Sequence, residues 1–170
     1  MRDLIVGNGL DPSVDIGPLI NAETRDKVSE FVNDAVSKGA KVELGGNLPS
    51  GPGFFYPPTV LSNVSMDADC VHDEIFGPVA AIQTFDDEDD VLKRANDTEY
   101  GLVAYVFTKD IKRGLALSEK LDYGMIGLNR GIVSDPAAPF GGTKQSGLGR
   151  EGGHEGMLEF MESQYIAVEW

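Results

Sequence analysis

An alternation in the second half of the chain limits the folds open to it. The run "VAAIQTF" over 79–85 reads as a strand, and "DDEDDVLKRANDT" reads as a helix with an acidic first turn. "GLVAYVFT" over 101–108 is a buried type of strand, "DIKRGLALSEKLD" a second helix, and "GMIGLN" over 124–129 a third strand. Strands separated by helix-length segments pair in parallel through right-handed crossovers. The expectation is therefore an α/β layered architecture.

The first half is less regular. Between Asn21 and Lys38, Val28, Phe31, Val32, Ala35 and Val36 form a helical stripe that Gly39 ends. "KVELGG" follows as a short strand, and "FFYPPTVLSNV" as extended chain, because Pro57 and Pro58 keep the residues before them out of the helical region. Neither is expected to be a central strand. Near the end, "HEGMLEFM" reads as a short helix and "SQYIAVEW" as a last strand. No repeat, linker or low-complexity segment is visible.

With 170 residues, 41% hydrophobic and 25% charged, the chain has the composition of one globular domain with a core of moderate size. A formal net charge of -14 argues against nucleic acid and anionic membrane surfaces, which need clustered Lys and Arg. No apolar run approaches the roughly 20 residues that cross a bilayer, and "MRDLIVGNGLDPS" lacks the apolar core of a signal peptide. The expected location is cytoplasmic. The single cysteine, Cys70, excludes an internal disulfide and fits a reducing compartment.

Metal chemistry finds no support in the spacing. The acids at 86–90 do not alternate as calcium ligands do, and Val91 stands where a calcium loop needs glycine. They read instead as acids gathered at a helix N-terminus. Cys70 and His72 are too few for structural zinc, and His154 is isolated.

"PFGGTKQSGLGREGG" over 139–153 contains Gly147-x-Gly149-x-x-Gly152, the spacing of a dinucleotide-binding turn. Such a turn needs a buried strand running into its first glycine. Here "GTKQS" precedes it, and Glu151 would set a negative charge beside the pyrophosphate. The segment reads as an irregular loop whose glycines supply positive φ or close approach.

"HDEIFGPVA" over 72–80 is the most specific stretch, since it joins an acid, an aromatic ring and a rigid turn. It resembles the E-x-F-G-P motif of the NAD(P)-dependent aldehyde dehydrogenases. "GNGLDPSVDIGPLI", "GLVAYVFTKD" and "NRGIVSDPAAPFGGTKQSGLGREGG" match the same family in order, so the resemblance spans essentially the whole chain. Within it, "GIVSDPAAPFGGTKQSGLGREG" is most similar to succinate-semialdehyde dehydrogenases.

The resemblance implies roles for four residues. Glu74 would accept hydrogen bonds from the nicotinamide ribose, and Phe76 would pack near the nicotinamide of NAD or NADP. Ser134 would help hold the far carboxylate of the aldehyde substrate, and Phe140 would lie near the aldehyde tunnel. Read from the residues alone, Glu74 is a surface acid and Phe76 a core ring. The chain departs from the family pattern at Arg130, at Pro136 and at His154-Glu155, positions that bear on substrate.

Aldehyde oxidation in this family needs a cysteine nucleophile, a glutamate base and an oxyanion hole. None is expected here: in family order they come earlier, and the acidic surroundings of Cys70 in "DADCVHDE" raise a thiol pKa rather than lower it. The resemblance thus implies an inactive C-terminal part of an aldehyde dehydrogenase. Residues 1–162 would be partial catalytic domain, with a parallel-type sheet flanked by helices. Residues 163–170 would be a terminal oligomerisation strand, giving a homo-oligomer. The alternative is a non-catalytic oligomerisation or binding module that retains the fold.

Overall fold

A computed structural model describes residues 1–170. The chain divides into two compact units, Met1–Thr84 and Phe85–Trp170.

In the first unit, helix α1 (Ala22–Ser37) starts where the Asn21 side chain accepts a hydrogen bond from the Thr24 N–H at 2.8 Å, satisfying one of the free donors of the first turn. Its stripe buries Val28, Phe31, Val32 and Ala35, while Val36, at the edge of the stripe, stays exposed. Strands β1 (Lys41–Leu44) and β2 (Thr59–Ser62) pair antiparallel. After the short helix α2 (Asp69–His72), strand β3 (Val79–Ala81) joins β2 in parallel.

Strand β2 is therefore central in the order β1-β2-β3, contrary to the sequence expectation for this segment. The prolines do not prevent it because both precede Thr59, the first residue that must donate to a neighbour; its N–H reaches the Pro78 carbonyl at 2.8 Å. The buried Thr59 hydroxyl donates to the Pro57 carbonyl and accepts from the Gly46 N–H, each at 2.9 Å, so it carries no desolvation penalty. Val28, Val32, Tyr56 and Leu61, all nearly solvent-free, centre one core cluster against which Cys70, Val71, Ile75 and Val79 pack. Each large side chain buried in this way contributes about 2 kcal/mol.

The second unit contains helix α3 (Glu88–Asn96), strands β4 (Tyr100–Gly101) and β5 (Val103–Val106), helix α4 (Ile111–Lys120), strands β6 (Met125–Leu128) and β7 (Thr143–Lys144), and helix α5 (Glu155–Leu158). Strands β5 and β6 pair in parallel through α4, as the spacing predicts. The expected third member of that sheet, 79–81, lies instead beside β2. Asp87 caps α3 and Asp110 caps α4, so the acidic run serves a helix start. Asn96 ties the ends of the two helices: its amide donates to the Lys120 carbonyl at 2.8 Å and its oxygen accepts from the Asp122 N–H at 2.9 Å. Residues 161–170 lie outside every helix and strand of the single chain, with Tyr165, Ile166, Val168 and Trp170 exposed. No helix is long and apolar enough to cross a membrane.

Candidate functional site

The segment after α2 is extended, so successive side chains point to opposite sides. Ile75 turns inward and packs on the core cluster. Glu74 and Phe76 are both exposed and line the same hollow. That hollow, about 640 Å³ in volume, has its other wall on the polar face of α1, where Glu23, Asp26, Lys27 and Glu30 stand. The Lys27 ammonium lies 4.5 Å from the centre of the Phe31 ring.

Phe76 is 68% exposed, which removes the core-ring alternative. The bend that follows is held tightly: Gly77 donates to the Ile75 carbonyl and Val79 to the Gly77 carbonyl, each at 2.8 Å. A Cβ at Gly77 would fall 2.8 Å from Val28 Cγ2, so the backbone can lie on α1 only because glycine is there. Glu74 and Phe76 thus project from a segment whose inward side chain and following bend both rest on buried structure.

The lining has four carboxylates, of Glu23, Asp26, Glu30 and Glu74, against the one ammonium of Lys27. That balance disfavours a phosphate and suits a ligand with hydroxyl donors beside a planar ring. The α1 residues of this wall were not singled out from the sequence, although the spacing of Glu23, Lys27 and Glu30 marks one polar face of the helix.

In the second unit, Phe140 lines a separate hollow of about 430 Å³ with Leu102, Ser146, Arg150 and Glu159 among its neighbours. Phe140 and Glu151 exchange backbone hydrogen bonds at 2.7 Å in both directions, closing the glycine-rich segment into a loop. The Arg150 guanidinium donates to the Gly142 and Gly149 carbonyls at 2.8 and 2.6 Å. Gly147, Gly149 and Gly152 all have positive φ, and the strand ahead of them is only the two-residue β7, paired antiparallel with β4. The loop lacks the buried strand that feeds a dinucleotide turn. Ser134 is exposed and does not line the hollow of Phe140.

Cys70 is half-buried against the first-unit core. Burial pushes its thiol pKa up, and the nearby Asp34 and Asp69 carboxylates add to the rise. An unionised thiol is a poor nucleophile, so the surroundings suit packing rather than attack on a carbonyl.

The fold is of the mixed α/β class, and its comparisons lead to an oxidoreductase family. The sequence profile of the aldehyde dehydrogenase family matches residues 1–166, and the chain belongs to that family. A succinate-semialdehyde dehydrogenase of Paenarthrobacter nicotinovorans is 50% identical over 168 residues, which is 99% of this chain and 37% of that protein. A mitochondrial succinate-semialdehyde dehydrogenase of Oryza sativa subsp. japonica is 52% identical over 168 residues, 99% of this chain and 32% of the relative. The crystal structure of an E. coli NADP-dependent enzyme superposes with a TM-score of 0.90 at 46% identity, covering 95% of this chain and 34% of that one. The chain spans about a third of the length of the relatives it matches.

Proposed function

We propose that these 170 residues act as the C-terminal part of an aldehyde dehydrogenase catalytic domain. The full enzyme would convert succinate semialdehyde, or a similar short semialdehyde, with water and NAD or NADP to the acid, the reduced cofactor and a proton. The observation that carries the reading is the shared face of Glu74 and Phe76 on one open, acid-lined hollow. The Glu74 carboxylate accepts from ribose hydroxyls, and the Phe76 ring supports the planar nicotinamide. The cofactor, when bound, supplies the hydride acceptor. Ser134 donates to the far carboxylate of the substrate, and Phe140 bounds the path of the aldehyde.

On this reading the 170-residue chain alone produces no reduced nicotinamide from succinate semialdehyde with either cofactor. Measurable turnover by the purified chain overturns that part of the proposal. In a full-length enzyme carrying these residues, Glu74→Gln raises the KM for the nicotinamide cofactor and lowers kcat. Ser134→Ala raises the KM for succinate semialdehyde about tenfold, the size of one lost hydrogen bond to a charged group. An enzyme indifferent to Ser134→Ala removes the carboxylate role.

The exposed Tyr165, Ile166, Val168 and Trp170 favour a second role for residues 163–170: pairing with another copy as an oligomerisation strand. A chain with that role and no catalysis is a binding module, and the turnover and sedimentation experiments separate the two readings.

A further inference from the structure

The segment that carries Glu74 and Phe76 packs on the first-unit core through Cys70, Val71 and Ile75, and two further contacts tie it to α1. One lies after these residues, where Gly77 rests on Val28. The other lies before them and is made of charge. The Lys38 ammonium, just past the end of α1, reaches Asp34 Oδ1 at 2.7 Å, the Asp67 carbonyl at 2.8 Å and Asp69 Oδ1 at 3.0 Å. An ammonium has three N–H donors, and all three have an acceptor here. Asp34 Oδ2 accepts from the Asp69 N–H at 2.9 Å, so the same carboxylate also meets the first N–H of α2. The Asp73 N–H then closes α2 on the Asp69 carbonyl at 2.9 Å, and Glu74 is the next residue.

We propose that Lys38 and Asp34 are positioning residues for Glu74 and Phe76: their network with Asp67 and Asp69 clamps α2 to α1 and thereby sets the spacing between the two walls of the acid-lined hollow. The role in holding a nicotinamide riboside rests on the function proposed above; the clamp itself does not. Exposed ion pairs contribute little to global stability, because water screens them and long side chains lose freedom in forming them. A network with every donor used instead selects one geometry. The effect therefore falls on residues 69–77 and leaves the core at Leu61 in place.

The test uses the 170-residue chain as wild type, Lys38→Met, Lys38→Arg and Asp34→Asn. Without ligand, amide hydrogen exchange at Asp73 accelerates at least tenfold in Lys38→Met and Asp34→Asn, exchange at Leu61 changes less than twofold, and Lys38→Arg restores the wild-type rate. Unchanged exchange at Asp73, or equal acceleration at Leu61, overturns the clamp. In the second arm nicotinamide riboside is titrated while the amide resonances of Glu74 and Phe76 are followed. A Kd several-fold weaker in Lys38→Met and recovered in Lys38→Arg is expected, and equal affinity in all variants overturns the positioning role. A riboside that moves no wild-type resonance, alongside the expected exchange pattern, removes the cofactor reading and leaves the clamp standing.

Discussion

The two units of the chain reach order by different means. Met1–Thr84 buries nine apolar side chains, among them Phe31, Tyr56 and Leu61, whereas Phe85–Trp170 buries only Leu92 and Met125. The second unit also leaves Phe107, Ile132, Leu148 and Phe160 each more than two-thirds exposed. Its loops are instead held by polar side chains that reach backbone: Asn96 between two helix ends, Arg150 on two carbonyls, and Lys144 on the Asn96 and Thr98 carbonyls at 3.0 and 3.2 Å. Each such bond contributes about 1 kcal/mol net, while a buried Leu or Tyr contributes two or three times as much. The first unit holds most of the buried apolar side chains, although Leu10, Ile20 and Phe76 are also more than two-thirds exposed there. The second presents apolar surface of the kind that another surface normally covers.

Truncation of side chains gives the largest break between the two. Leu61, fully buried in the central strand, is expected to cost about 3 kcal/mol as Leu61→Ala, the transfer loss plus the cavity left behind. Leu115 on α4 is 56% exposed, and Leu115→Ala should stay within about 0.5 kcal/mol. Residue-level hydrogen exchange is the suitable measurement, because two units need not unfold together. Similar losses at both positions would show that the second unit has a core of its own.

Association comes next in size. The apolar side chains of 165–170 should drive a dimer or larger species, seen in equilibrium sedimentation as mass rising with concentration. Ile166→Asp should weaken that association at least tenfold, equivalent to about 1.4 kcal/mol. A wild-type chain that stays monomeric across concentrations would mean that its exposed apolar surface needs no second copy.

What could be read in advance follows the same division between local and distant causes. Helices α1, α3 and α4 were legible because their signals are local: an apolar stripe ended by Gly39 in α1, an acidic first turn in α3 and helical periodicity in α4. The parallel pairing of β5 with β6 was legible because a helix of fitting length joins them. The partner of β3 was not, since a three-residue strand carries no address for its neighbour and the choice of β2 is made by packing. The central place of β2 was hidden by Pro57 and Pro58, which discount a strand only if they fall inside it. At the candidate site, residue type argued for a buried Phe76. Alternation around the inward Ile75 puts Phe76 on the side of Glu74, a signal present in the letters but outweighed by hydrophobicity.

Helix capping sharpens the comparison by removing burial from it. The Asn21 side chain accepts from the Thr24 N–H at 2.8 Å and the Asp110 side chain from the Arg113 N–H at 3.0 Å, one cap in each unit with the same bond to the third residue on. Asn21→Ala and Asp110→Ala should each cost about 1 kcal/mol of local stability. Equal costs would locate the difference between the units in apolar burial. A much larger loss at Asp110 would mean that the second unit leans on its helix signals for want of a core.

The smallest effect is electrostatic and belongs to the first unit. The Lys38 ammonium, and after it the Asp69 N–H, hold the Asp34 carboxyl below the ordinary value of 3.8. Hydrogen bonds to Asp34 and then Asp69 hold the Lys38 ammonium above the ordinary value of 10.5. A carboxyl depressed in the folded state stabilises above 3.8 and loses that contribution as pH falls through its folded value; an ammonium raised in the folded state stabilises below 10.5 and loses its contribution as pH rises through its own. The difference between wild type and Lys38→Met in protection of the Asp73 amide, corrected for the intrinsic pH dependence of exchange, should accordingly form a plateau between these limits and narrow at both ends, more so in high salt. A difference that persists below the folded value of Asp34 would mean that Lys38 contributes through its bond to the Asp67 carbonyl or the packing of its methylene stem rather than through the carboxylate.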